Sequence, residues 1–139
     1  MASWDDVRRL AMALPEATER SSYGGATAWS VKDRGKDRGF VWERPLGKKD
    51  RADLGDAAPD GPILAAHVSG EDEKHALIAD NPAVFFTIPH FNGYPAVLIR
   101  LDHIDVDELA EVVTEAWLLR APKRLTAEWE REHGHGDAS

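Results

Sequence analysis

Four residue types that can do chemistry crowd one short stretch, "TIPHFNGYP" at positions 87–95. An imidazole at His90 could serve as acid, base or metal ligand. No carboxylate or second histidine stands at ligand spacing from it, so a turn histidine donating to a carbonyl is the plainer reading. Asn92-Gly93 is a strong tight-turn signal and predicts a hairpin. Phe91 and Tyr94 would flank its tip, either stacking on nucleobases or covering the hairpin. A second histidine motif, His133-x-His135, lies in a Gly-rich tail where a frayed terminus is the plainer state.

Other catalytic signatures are missing from the sequence. Ser21, Ser22 and Tyr23 precede Gly24-Gly25, but neither G-x-x-x-x-G-K-[ST] nor G-x-G-x-x-G occurs. There is no G-x-S-x-G and no H-E-x-x-H. With no cysteine, disulfides, thiol catalysis and Cys-ligated metals are excluded. Acids are plentiful at Glu71, Asp72, Glu73, Asp102, Asp105, Asp107 and Glu108. Most fall where helices would begin, and the helix dipole accounts for them there. The expectation is no metal, no cofactor and no enzyme.

Charge is the most suggestive feature. The net charge is −8, yet residues 20–51 carry nine Lys or Arg against four acids, which is +5 and leaves −13 for the remainder. Lys32, Arg34, Lys36 and Arg38 crowd one hairpin tip, and Lys48, Lys49 and Arg51 crowd the next loop. Two adjacent basic projections would suit contact with phosphates. The competing reading is a pair of solvated loops, with Asp33, Asp37 and Asp50 interleaved among the cations. Arg120, Lys123 and Arg124 would extend the patch, and they also suit the negative end of a helix.

These residues need elements to hold them. At 139 residues, with 42 % apolar and 30 % charged residues, the chain fits one folded domain. We expect it to span 1–132, with 133–139 a flexible tail. The longest apolar stretches are about five residues, far short of the ~20 of a membrane helix, and the N-terminus lacks a secretory h-region. A cytoplasmic protein without a membrane partner is expected. "SWDDVRRLAMAL" predicts an amphipathic helix with Ser3 as N-cap and Asp6 near a capping box, closed by Pro15.

"ATAWSVK" (26–32) and "GFVWERP" (39–45) alternate as strands of a hairpin. Trp29 and Val31 would share one face, and Phe40 and Trp42 another. Residues 46–61 read as a long polar loop. "PILAAHV" (62–68) is a third strand, followed by a helix capped by Ser69 and stopped by Pro82. "AVFFTI" (83–88) and "PAVLIRL" (95–101) are further strands, with Val97, Ile99 and Leu101 on one side. The longest helix starts at Asp105 with Glu108 completing a box, and buries Leu109, Val112, Val113, Ala116 and Trp117. Leu125 and Trp129 pair on a last short helix. This order predicts an α+β two-layer sandwich with a mostly antiparallel sheet and helices on one face.

Three fragments, "SSYGGATAWSV", "NPAVFFTIPHFNGYPAVLIRLDHID" and "ELAEVVTEAWLLRAPKRL", resemble the MmcQ/YjbR family of small bacterial proteins. The resemblance covers roughly residues 3–129. It implies a fold like that of CyaY, the bacterial frataxin, and a DNA-binding role through a double-wing surface. Frataxin-like folds can present acidic faces to iron, which is fold-level analogy. The family has no agreed catalytic residues to carry over. One departure is "SYGGATAW", where family members often have "SYGxPAF".

Two expectations follow. The first is a non-enzymatic DNA-binding module using Lys32, Arg34, Lys36, Arg38, Lys48, Lys49 and Arg51. The alternative is a small-molecule or protein-partner module, with a pocket formed by Trp29, Trp42, His90, Phe91 and Tyr94. The oligomeric state is left open.

Overall fold

Ser3 begins the first helix as its composition requires. Its hydroxyl accepts from the Asp6 amide, and the Asp6 carboxylate accepts from the Ser3 amide, closing a capping box. In the computed structural model, which describes residues 1–21 and 26–133, this helix is α1 (Trp4–Met12). The stretch around Gly24-Gly25 and the tail from 134, with His135, lie outside the described residues. There follow β1 (Ala17–Ser21), β2 (Thr27–Asp33), β3 (Lys36–Glu43), α2 (Lys48–Leu54), β4 (Ile63–His67) and α3 (Glu71–Asp80). The chain continues with β5 (Phe85–Phe86), β6 (Ala96–Arg100), α4 (Val106–Arg120) and α5 (Lys123–Glu132).

The strands make one antiparallel sheet in the order β1-β2-β3-β4-β6-β5. The α+β architecture is thus as expected. The inner face carries the main core: Val7 and Ala11 of α1, Leu109, Val113, Ala116 and Trp117 of α4, and Leu125 of α5 meet Trp29, Val31, Leu64, Ala66, Val97 and Ile99. Leu77 and Ile78 of α3 pack on its margin. A second, smaller cluster fills the outer face over β4, β5 and β6, where Ile63, Ala65, Phe86, Ile88, Phe91 and Leu98 meet Leu46 and Leu54. The helix α2 therefore serves the outer face.

Several expectations change. Strand β1 is an addition to the expected set: "ATERS" is short and exposed at four of its five positions, so it shows no alternation. The expected long loop 46–61 contains α2 and a 3-10 turn at Gly55–Ala57. The Asp50 carboxylate accepts from the Gly47 amide and starts α2 despite its polar composition. Gly70 rather than Ser69 caps α3, and the Ser69 amide donates to Glu73. Asp105 is the N-cap residue of α4, but its side chain makes no capping hydrogen bond. The expected strand 83–88 pairs only through Phe85 and Phe86.

The face assignment on β3 also changes. Trp29 lies opposite Val41 while Ser30 lies opposite Gly39, which leaves Phe40 as an extra residue. This bulge turns Phe40 and Val41 both into the inner core, and Trp42 to the outer face. Phe40 and Trp42 do not share a face.

At the base of the core, the fully buried Trp117 donates from Nε1 to the Pro15 carbonyl at 3.2 Å and lies 6.2 Å from the Trp129 ring. Trp117→Ala should destabilise the fold by about 3–5 kcal/mol, read by urea denaturation. Trp117→Phe, which keeps most of the volume, should lose clearly less.

Candidate functional site

The site expected around residues 87–95 is built by a wide connection rather than a tight hairpin. Residues 89–91 form a 3-10 turn, and Asn92 (φ −61°, ψ 126°) with Gly93 (φ 79°) makes a type II turn closed by the Tyr94 amide on the Phe91 carbonyl at 3.0 Å. Gly93 is needed there because its backbone is left-handed. Lys74 of α3 secures the turn from below. It is 1 % exposed, and its Nζ donates to the Phe91 carbonyl and to Glu71 Oε2, both at 2.7 Å. The Gly93 amide also reaches Glu71, and with Lys74 holds that carboxyl below its ordinary range.

The result is a cleft of about 310 Å³ lined by Trp42, Arg44, His90, Phe91 and Tyr94. Phe91 is buried and forms its floor, with the Arg44 guanidinium 5.6 Å from its ring centre. Arg44 is also tied to Asp50 at 3.3 Å. Tyr94 is 44 % exposed, and His90 is exposed. Trp29, expected in this group, lies elsewhere. It shares the inner face with Val31, stacked on Trp4 at 6.4 Å, with its Nε1 donating to Glu19 at 3.0 Å.

Sequence reasoning missed His67. It ends β4, is 7 % exposed, and lies 5.7 Å from both the Trp42 and the Tyr94 ring centres. The signal available was its place at the end of an apolar strand. Burial, then the nearby charges of Arg120 and Arg38, push its pKa down to about 4, against a bond to the Pro95 carbonyl that acts the other way. It is a neutral ring near pH 7. On its other side a cleft of about 160 Å³ runs between α3 and α4, with Glu73, Glu108, Glu111 and Glu115 around Val68, Leu77 and Val112. Among the described residues these acids do not converge into a metal-binding group.

The basic residues divide. The β2–β3 turn is a two-residue connection with Arg34 (φ 55°) and Gly35 (φ 80°) both left-handed. Lys32, Arg34 and Lys36 are exposed and have no ion pair among the described residues. Arg38 pairs with Asp33 at 3.3 Å, and Arg20 pairs with Asp37. Lys48, Lys49 and Arg51 sit on α2. Lys49 faces Asp53 at 3.6 Å and Arg51 faces Asp60 at 3.7 Å. The turn and α2 issue from opposite ends of β3, about 23 Å apart along the strand. The two basic groups do not form adjacent projections. Arg124 is taken by Glu16 at 3.3 Å. His133 stacks on Trp129 at 4.2 Å, with Nδ1 2.9 Å from the Trp129 carbonyl oxygen.

Two outcomes test this geometry. Lys74→Met strands the Phe91 carbonyl and should cost about 1–3 kcal/mol; hydrogen exchange should accelerate at residues 91–94 before the rest of the sheet. The His67 pKa is lower in the folded state, so the unfolded chain binds more protons between about pH 6.5 and 4. The stability that His67 contributes is present above pH 6.5 and is lost as pH falls toward 4. His67→Gln should flatten that part of a melting-temperature profile against pH.

The chain is also comparable with known proteins. It is 49 % identical over 128 residues to the uncharacterised proteins Rv2570 of Mycobacterium tuberculosis and Mb2600 of Mycobacterium bovis, covering 90 % of this chain and 93 % of each relative. The crystal structure of Deinococcus radiodurans protein DR2400, described with a DUF419 domain, superposes with a TM-score of 0.65 at 21 % identity. That match covers 86 % of this chain and 78 % of the other, and it shows a shared fold. The YjbR family model matches residues 12–119, which contain the whole sheet and nearly all of α4, and the chain belongs to the YjbR family.

Proposed function

We propose that the protein is a non-enzymatic binding module whose ligand is nucleic acid, held along the outer face of β2 and β3. The observation that carries this reading is a set of cations, Lys32, Arg34 and Lys36, with no ion pair among the described residues, near the half-buried Trp42 ring and the exposed Tyr94 ring. Lys32 points outward because Val31 points into the core. Trp42 also points outward, beside Ala28 in the ladder. Lys32 stands four positions along β2 from Ala28, about 13 Å. That spacing suits a strand whose phosphate meets the turn while a base meets Trp42 or Tyr94. Between them lie Ser30, which is buried, and the half-buried Gly39, so a ligand would touch the two ends of this stretch rather than its middle.

The turn supports the same reading. Arg34 holds a left-handed backbone that favours Gly or Asn, so a cation stands at the tip at a conformational cost. The α2 cations take no part, because they lie at the far end of β3 and two of them are paired with acids. Phe91, buried, anchors the turn and does not stack. A second reading rests on the cleft of about 310 Å³ itself, whose aromatic walls and single guanidinium suit a small planar molecule or a partner's side chain.

Fluorescence anisotropy with a labelled ten-nucleotide single strand, and with the matching duplex, tests this. Contact with three phosphates predicts a salt slope of about −2, so affinity falls roughly thirtyfold over a fivefold rise in salt. Lys32→Glu, Arg34→Glu and Lys36→Glu together should abolish binding, Trp42→Ala should weaken it about tenfold, and Lys48→Glu with Lys49→Glu should leave it within about twofold. Equal loss from the α2 variant, or binding without salt dependence, overturns the reading. Preference for the duplex, with Trp42→Ala silent, removes base stacking and leaves phosphate contact alone.

A further inference from the structure

Strand β3 outruns its neighbour. Val41, Trp42 and Glu43 pair with β4, but β4 stops at His67 and the residues of β3 before the bulge pair only with β2. The Gly39 carbonyl, freed on that side, accepts from Arg120 Nε at 3.3 Å. Arg38, next in sequence to Gly39, lies opposite Val31 and so turns to the inner side where α4 ends. Arg120 therefore reaches the stretch of β3 that carries Arg38, close enough for the Arg38 charge to be felt at its guanidinium, while Nη1 of Arg38 reaches across to Asp33 of β2. His67, Tyr94 and Trp42 close the place where the sheet parts on the outer side.

We propose that this gap is a binding site for a phosphate monoester, with Arg38 and Arg120 as its two guanidinium arms. Like charges held side by side cost energy unless an anion lies between them. The helix dipole accounts for one cation at the end of α4 and not for a second across from it. Among the described residues Arg120 has no carboxylate partner, and Asp33 takes only Nη1 of Arg38, at 3.3 Å. Arg38 Nε is buried with no acceptor among the described residues, a state that a buried donor seldom keeps.

Burial and the Arg38 charge both work against the charge of Arg120, while Tyr94 favours it. The site stays open to a ligand, since the Arg38 side chain is 40 % exposed and Arg120 is half-buried. A phosphate with three terminal oxygens can accept from both forks at once, which a single carboxylate does less completely. The neutral His67 ring and the Tyr94 hydroxyl are the remaining polar groups at its edge.

The phosphate is either the terminal phosphate of a nucleic-acid strand whose end passes round the β2–β3 end of the sheet or a small free phosphomonoester. Two measurements separate these. The first is the shift in melting temperature of the full chain with inorganic phosphate against chloride at equal ionic strength. The second is anisotropy with the ten-nucleotide strand carrying or lacking a 5′-phosphate. Phosphate should raise the melting temperature of the wild type and have no effect on Arg38→Gln or Arg120→Gln. Arg124→Gln, an exposed arginine elsewhere, should respond as wild type. Circular dichroism establishes that each variant is folded, and Arg120→Lys, which keeps the charge without the fork, should recover part of the shift.

If the strand end is the source, its 5′-phosphate should tighten binding about tenfold, and only while both arginines are present. A phosphate shift without strand binding upholds the site for a free phosphomonoester and removes the nucleic-acid reading. Strand binding with no phosphate shift, or the same shift in both glutamine variants, overturns the site and leaves that reading standing.

Discussion

One extra residue in β3 governs the distribution of side chains. Without the bulge, strict alternation would send Phe40 and Trp42 to the same side, as the sequence suggests. With it, Phe40 and Val41 both enter the core under α4, and Trp42 emerges on the opposite surface. The gain is a well-filled inner layer. The consequence is that Trp29 and Trp42, neighbours across two paired strands, serve different layers. One stacks on Trp4 of α1, and the other meets His67 in the outer cleft.

The outer layer depends on a different device. Its apolar cluster ends at a rim where Tyr94 and His90 are exposed. At that rim a buried ammonium is added. By satisfying the Phe91 carbonyl and engaging Glu71, Lys74 joins α3 to the type II turn and fixes the rings that the turn carries. A long charged side chain can do this because its methylene stem packs like a hydrophobe while its head reaches a polar group. The acidic first turn of α3 thus has a task beyond complementing the helix dipole.

Much of the architecture was legible from period and punctuation. The Ser3–Asp6 box, the β2–β3 hairpin, the inward set Val97, Ile99 and Leu101, and the buried stripe of α4 all follow from local rules that the tertiary structure does not override. What escaped depends on contacts distant in sequence. Strand β1 exists because β2 offers it an edge, and its own residues carry little signal. The α2 helix is short, polar and started by one carboxylate. Asn92-Gly93 was read as a two-residue hairpin, but the partner strand is only two residues long, so the turn closes a wider connection. His67 and Lys74 could not be ranked from sequence, because their importance comes from being buried.

The margins of the sheet carry a consequence of their own. An unpaired strand invites a second copy of itself, and a six-stranded open sheet has two such margins. At one, β5 offers only Phe85 and Phe86, too short a template for another chain. At the other, β1 displays Thr18, Glu19 and Arg20, with Glu19 held in ion pairing by Arg8 at 2.8 Å. Glu19 and Arg20 are each already in an ion pair, with Arg8 and with Asp37, and charged side chains on a short edge strand disfavour pairing with another copy. The segment with the weakest sequence signature thereby puts charge at the margin of the sheet most open to another strand.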